Sequence, residues 1–481
     1  MLIPLSIPSL SGTNAQNWLA SIVLGCGPGI YLAITGLGAG AGQANSAKFS
    51  EIQNCLGNGV FGVASFFAPL LLRYCSVRWF LVIGPTGYAA YIAGLIYFQA
   101  KDQIALPLVF GVYFGLGSAL TWVGTTYISV SYPTKATKGH FINNQWIGLA
   151  CGSIIGAAIA FGSNIHKSKA AGVSYGVLGA WMAIHLAAAI GAFFLILPSD
   201  RVTQESGEGI PAGHHIMEGQ SPGDILKEIG QTITNPKMLL VILAMLSSDF
   251  WLVFIGTWNS HNFSLRARSL NTLLYWAIQH MEQAKKRVDW LWYVVRTAHW
   301  YSEEVSSPWF TALLFTLVTA SWLAFYLWQG LNMSTAGPAP LKSVVDWSQG
   351  AHYVKGLVVY LLFGLSYPTY HVVLVFYTSM LATEGNRKMA YYAGIFKGLQ
   401  ASGIALAFGV AAASPNYLTI GIVYGSLAIV CLIPMGYAFW KYIPNEMATE
   451  TFEEDVSLHN VETFDQEDSK EGKTSATVAV I

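Results

Sequence analysis

Apolar runs of about 20 residues, parted by short polar breaks, recur along most of the chain, and a helix of that length crosses a hydrocarbon core of about 30 Å. These runs predict membrane-spanning helices at roughly 18–38, 53–72, 79–98, 106–130, 142–162 and 174–197. The stretch 199–237, with its Gly, Pro, Ser and His, reads as a polar linker. Beyond it 238–258, 309–328, 353–381, 389–412 and 417–440 are clear spans. A further crossing is expected over 268–283, where LNTLLYWAIQHM is apolar but short and is followed at once by Lys285, Lys286 and Arg287. The next segment, DWLWYVVRTAHWY over 289–301, mixes Trp290, Trp292 and Trp300 with Asp289 and Arg296, a composition suited to the membrane interface.

The pattern predicts an all-α integral membrane protein, a bundle of about 12 transmembrane helices in two six-helix halves with span eight atypical. The halves are 1–198 and 238–440, joined by a cytoplasmic linker over 199–237 and followed by a tail over 441–481. Two bundles of similar size are the plan of a secondary transporter. With 260–305 left out, basic residues fall nine to six in favour of the loops after spans two, four, six and ten, a modest bias that favours both ends of the chain in the cytosol.

Composition sharpens this picture. Of the 481 residues 53% are hydrophobic and 10% charged, against about a quarter charged in a soluble domain. The first 200 residues hold only three carboxylates, Glu51, Asp102 and Asp200, and no charged side chain precedes Lys48. A soluble protein is excluded. The zero net charge averages an apolar body with an acidic tail, which has too few apolar residues to fold alone and is expected to be disordered. With no basic patch, nucleic acid is not a partner. The five cysteines are scattered with no C-x-x-C pair, so neither a disulfide framework, a metal site nor a cofactor is implied. The first apolar stretch lacks a basic n-region and a cleavage site and is expected to stay as an anchor. Partners are expected to be membrane lipids and a small solute, in the plasma membrane or an endomembrane such as the vacuole.

Within the apolar runs, chemistry is sparse. Asp249 and Lys397 are the fully charged side chains deep in the clear spans, and such residues are functional candidates. At a rise of about 1.5 Å per residue from the cytoplasmic face, Asp249 lies about 16 Å deep and Lys397 about 12 Å deep, so they are expected to share one layer. The competing reading is a buried ion pair that only fixes helix packing. His371 lies in span ten beside Pro368, whose kink frees backbone carbonyls. Both His371 and His185 of span six are candidates for proton relay or for hydrogen bonds between helices. Asn143 and Asn144 open span five near its cytoplasmic end, candidates for lining the inner mouth of a cavity, and Trp146 beside them reads as an interface anchor. Arg266 and Arg268 start span eight, with heads expected to snorkel to the interface, the alternative being contact with an anionic solute or lipid headgroup. Asn332, in an N-x-S sequon, is a glycosylation candidate. Gly148, Gly152 and Gly156 put small residues on one helix face for close packing in the bundle, a dimer interface being the alternative.

Several stretches resemble the uncoordinated-ninety-three-like branch of the major facilitator superfamily, the ion channel regulatory protein family, and its fungal members above all. They are TGLGAGAGQ (35–43), YFGLGSALTWVGTTYISVSYP (113–133) with KGHFINNQW (138–146), SLRARSLNTLLYWAIQ (264–279) and RKMAYYAGIFKGLQASG (387–403). The resemblance implies a major facilitator-like fold. It also puts Lys397 and Gln400 inside a Y-x-G-x-x-K-G-x-Q pattern from Tyr392, whereas relatives tend to carry Asn where Asp249 stands. After Gln279 the chain departs from the family until about 309, and RYCSVRW (73–79) keeps only scattered basic residues of the superfamily's loop motif.

Two functions follow as expectations. The first is a secondary transporter of a small solute by alternating access, with proton coupling through Asp249 and Lys397. The second, which the family description implies, is a membrane partner that regulates or escorts channels or receptors without transporting. No span pairs His with Glu at metal-ligand spacing or a nucleophile with a base, so an enzyme is not expected.

Overall fold

The apolar runs fold as long helices. The computed structural model describes residues 10–38, 47–133, 137–167, 173–203, 220–284, 306–332, 345–381, 386–413 and 419–442. The aromatic segment 289–301, the acidic tail and the residues that complete the Asn332 sequon lie outside them. Helices α1 (Thr13–Gly36), α2 (Ala47–Leu71), α3 (Val77–Lys101), α4 (Ala105–Ser131), α5 (Lys138–Asn164) and α6 (Tyr175–Leu195) make the first group. After the short α7 (Pro222–Ile233) come α8 (Pro236–Ser247), α9 (Phe250–Asn262), α10 (Leu265–Ala284), α11 (Ser306–Asn332), α12 (Ala351–Leu381), α13 (Asn386–Ala412) and α14 (Thr419–Tyr442).

Among the described residues ten stretches are long and apolar enough to cross a membrane, counting Pro236–Asn262, which contains α8 and α9, as one. Helix α11 adds the apolar Leu314–Trp328. Helix α10 falls short on apolarity for a physical reason: Arg268, Ser269, Asn271, Thr272 and Gln279 are buried inside the bundle rather than turned to lipid, and Asn271 and Thr272 bond Asn259 of α9. Asn332 ends α11.

Part of the expected linker is helical. Ser221 accepts from the Asp224 amide while the Asp224 carboxylate accepts from the Ser221 amide, a capping box that starts α7. Ile225 and Ile229, one turn apart, bury its apolar side.

Two helices are interrupted at the same distance from their starts. Helix α1 runs regularly from Thr13 to Leu24 and then widens into a π turn over Gly25–Gly29, which contains Pro28. The seventh span runs regularly from Pro236 to Ser247 and breaks at Ser248 and Asp249 before α9 begins. Each break thus follows a regular stretch of 12 residues in the first crossing of its group. At the first break the ring of His185 bonds the Cys26 carbonyl (2.6 Å), so this histidine serves the backbone that the π turn frees. Glycines permit the close approach there: a Cβ at Gly152 would stand 2.0 Å from the Gly25 carbonyl oxygen, and one at Gly148 2.4 Å from that of Ser21. The Gly148 and Gly152 face therefore seats α5 on α1, inside the bundle.

At the end of the bundle where α1 and α9 finish, the two groups are tied together. Asn259 donates to the Gly36 carbonyl (2.9 Å) and accepts from Asn271 (3.0 Å), which in turn accepts from the Tyr353 hydroxyl (2.8 Å). Arg268 is 2% exposed and its guanidinium reaches the Leu37 carbonyl (3.4 Å), so it does not snorkel: the groove between α1 and α10 receives it before the interface does. Arg266 makes a two-point contact with Asp346 (2.9 and 2.5 Å) and lies over the Trp347 ring. The anion that Arg266 meets is thus a carboxylate of the same chain. Ser264 also donates to Asp346 (2.5 Å), the Arg266 amide donates to the Lys167 carbonyl (3.1 Å), and Phe161 meets Trp347 edge to face.

Candidate functional site

At the break in the seventh span, five side chains from the break and two further helices form one polar layer. Asp249 and Ser248 stand at the break itself, His371 comes from α12 near Pro368, and Lys397 and Gln400 come from α13, one turn apart on one face. Asp249 is 4% exposed, His371 3%, Lys397 1% and Gln400 3%.

Asp249 and Lys397 share the expected layer, but His371 and Gln400 stand between them. The His371 Nδ1 lies 4.0 Å from the Asp249 Oδ1, and its Nε2 lies 3.3 Å from the Lys397 Nζ. Lys397 donates to the Gln400 Oε1 (2.8 Å), while the Gln400 amide nitrogen reaches the Ser248 hydroxyl (3.2 Å) and the His371 Nδ1 (3.0 Å). The Asp249 Oδ1 is buried without a hydrogen-bond partner. The Lys397 ammonium also sits 4.1 Å from the Trp122 ring centroid, a cation–π contact with the other helix group. Trp146 packs its ring on His371 (4.7 Å) and Tyr367 (5.4 Å) at 4% exposure, so it is a wall of this layer rather than an interface anchor.

Two hydrogen patterns are open to the layer, because a neutral imidazole has one donor and one acceptor, and they differ in where the Gln400 amide stands. With Lys397 charged, the His371 Nε2 accepts from it and the Nδ1–H turns to the Asp249 carboxylate, which requires the Gln400 amide nitrogen, now 3.0 Å from Nδ1, to move away. With Lys397 neutral, the Nε2–H donates to its lone pair and Nδ1 accepts from the Gln400 amide. The second pattern leaves the carboxylate without the imidazole N–H. A proton on Lys397 is thereby linked to what Asp249 holds.

The layer borders a cavity of about 600 Å³, its open end included, between α1, α2, α3 and α4 on one side and α9, α12 and α13 on the other. Asp249 and Gln400 line it, together with Asn58, Ser118, Thr257 and the rings of Tyr31, Phe61, Tyr88, Phe114, Trp122 and Tyr367. Asn143 is not among the lining residues. It is half-buried near the start of α5, where its neighbour Gln145 instead reaches Asn17 (3.0 Å) and the Thr125 carbonyl (2.7 Å). Sequence reasoning missed the Tyr31–Asn54–Asn58–Tyr91 network on the far wall, where Tyr31 donates to Asn54 (2.9 Å), Asn54 to Tyr91 (3.2 Å) and Asn58 to Tyr31 (3.3 Å). Two Asn one turn apart in an apolar run, Asn54 and Asn58, were its signal. At the loop beyond, the Arg266 guanidinium holds the Asp346 carboxyl well below the usual carboxylate range.

Ten apolar helices of spanning length among the described residues define a multi-pass membrane protein, and the bundle they form is of major facilitator-like fold. A nucleoside transporter matches it with a TM-score of 0.52 at 12% identity, covering 89% of this chain and 100% of that one. A bacterial homologue of the iron transporter ferroportin matches with a TM-score of 0.55 at 10% identity, covering 89% and 98%. The profile of the family described as ion channel regulatory protein UNC-93 matches residues 53–273. A Schizosaccharomyces pombe membrane protein is 32% identical over 87% of this chain and 84% of its own length. UNC93-like protein 1 of Arabidopsis thaliana is 26% identical over 90% and 91%. The chain belongs to the UNC-93 family.

Proposed function

We propose that the protein is a secondary transporter that moves a small solute by alternating access, coupled to protons through Asp249. The observation that carries the reading is the buried Asp249–His371–Lys397–Gln400 layer at a broken helix, beside a cavity that both helix groups line. Ionisable groups at this depth mark ion and solute pathways by default, and broken helices in corresponding positions mark the site. Asp249 takes up and releases a proton, Lys397 alternates between partnering Asp249 through His371 and yielding it to the solute, and His371 passes the change between them by switching tautomer. The fold neighbours are transporters, which supports the class. The layer lies in the plasma membrane or an endomembrane such as the vacuole, with both ends of the chain in the cytosol.

The description of the family as channel regulatory supports a second reading, a partner that escorts or regulates channels. Uptake and efflux profiling of a deletion strain against a broad metabolite and drug panel separates the two. The transport reading expects altered accumulation of a defined solute class, reproduced by the purified protein in liposomes. Altered channel or receptor abundance with no solute phenotype would favour the partner.

A further inference from the structure

We infer that the solute is an organic cation, a protonated amine on a flat apolar body; this rests on the reading of the cavity as a transport site. Among the described lining residues Asp249 is the one charged side chain, and the other polar ones, such as Asn58, Ser118 and Thr257, are neutral. A solute without a donor would leave the Asp249 Oδ1 buried and unpartnered, a costly arrangement, a neutral donor would give it a hydrogen bond but no opposite charge, and an anion would sit beside it unfavourably. An ammonium satisfies it with a charge-assisted hydrogen bond.

The opposite wall supplies what the rest of such a solute needs. Tyr31, Tyr88 and Phe114 pack as a cluster with ring centroids 4.9 to 5.8 Å apart, offering faces and edges to a flat ring. Trp122 joins that wall to the charged layer. Its face already receives an ammonium in the chain itself, since the Lys397 Nζ stands 4.1 Å from the ring centroid. Lys397 therefore occupies, from the side, ground that a solute ammonium would take from the cavity. The two cations compete for the same ring and for the same carboxylate, the latter through His371. Lys397 does not line the cavity and is held by Gln400 and His371, so it is poorly placed to receive a solute carboxylate.

The test uses three isosteres with the purified full-length protein at neutral pH: 2-phenylethylamine, 2-phenylethanol and 3-phenylpropionate. Binding is read as thermal stabilisation over a concentration series. The amine is expected to bind about tenfold or more tightly than the alcohol and the acid, the scale of one desolvated cation contact. Asp249→Asn should abolish that preference and Trp122→Leu should weaken it. Lys397→Met, which removes the competing cation, should keep or tighten amine binding while losing proton-driven flux. Equal binding of amine and alcohol by the unaltered protein, preference for the acid, or no binding of any of the three would overturn the assignment, whether or not a variant folds. Proton-driven flux of some solute without amine binding removes the cation inference and leaves transport standing; amine binding without flux does the reverse.

Discussion

At Lys397 the cost of burying a charge is offset by close partners, the Gln400 carbonyl at 2.8 Å, the His371 ring at 3.3 Å and the Trp122 face at 4.1 Å. Asp249 and Lys397 were legible in the sequence because a charge inside an apolar run stands out. Trp146 was not, because a Trp near a helix end usually anchors at the interface, and only the fold brings His371 onto its ring. Asn143 misled for a related reason: on a helix its neighbour two positions on, Gln145, faces a different way and is the one that is buried. Glycine contacts give a residue-scale prediction. Gly152→Val would drive a Cβ to 2.0 Å from the Gly25 carbonyl oxygen, and backbone cannot yield there as a flexible side chain would. A loss of about 1–3 kcal/mol, the scale of core overpacking, is expected as a lowered Tm. Gly139→Ala, whose Cβ meets nothing within 4 Å, should leave Tm unchanged or slightly raised, since alanine is the better helix former. An unaltered Tm in Gly152→Val would contradict the packing of α1 on α5.

Among elements, span lengths were readable because lipid imposes about 20 apolar residues on each crossing. The polar face of α10 was not, since its Asn271 and Thr272 are spent on Asn259 of α9 and nothing in a single segment reports that. The π turn had a local sign, GCGPG, because a proline between glycines removes a helical donor and loosens the turn. The Arg266–Asp346 strap joins α10 to the segment before α12, and it titrates. Asp346 ionises at lower pH folded than unfolded, so its contribution is fully present above the ordinary carboxylate value of about 4 and declines as pH falls from there toward the folded value. For a part-exposed pair the effect is about 1 kcal/mol or less. The Tm gap between the unaltered protein and Arg266→Gln should be constant from about pH 7 to 5 and shrink below about pH 4. A gap that does not change down to about pH 3 would contradict the strap.

For the whole molecule, the contacts of Gly36 and Leu37 with Asn259 and Arg268 bind the two helix groups at one end of the cavity, so solute reaching the layer from that end requires them to part. Which face this is follows from the topology. With twelve crossings the end at Ile481 is cytosolic, and protease applied outside sealed right-side-out vesicles should leave a tag fused there intact. If α10 does not cross, the later helices invert and the tag is cleaved. The most direct measurement of the proposed mechanism is solute flux into liposomes under an imposed proton gradient, using a solute identified by the accumulation panel. The unaltered protein should accumulate it with the gradient, while Asp249→Asn and Lys397→Met, normally expressed and folded, should fall to the level of empty liposomes. Undiminished gradient-driven flux in both variants would remove the Asp249–His371–Lys397 layer from the mechanism.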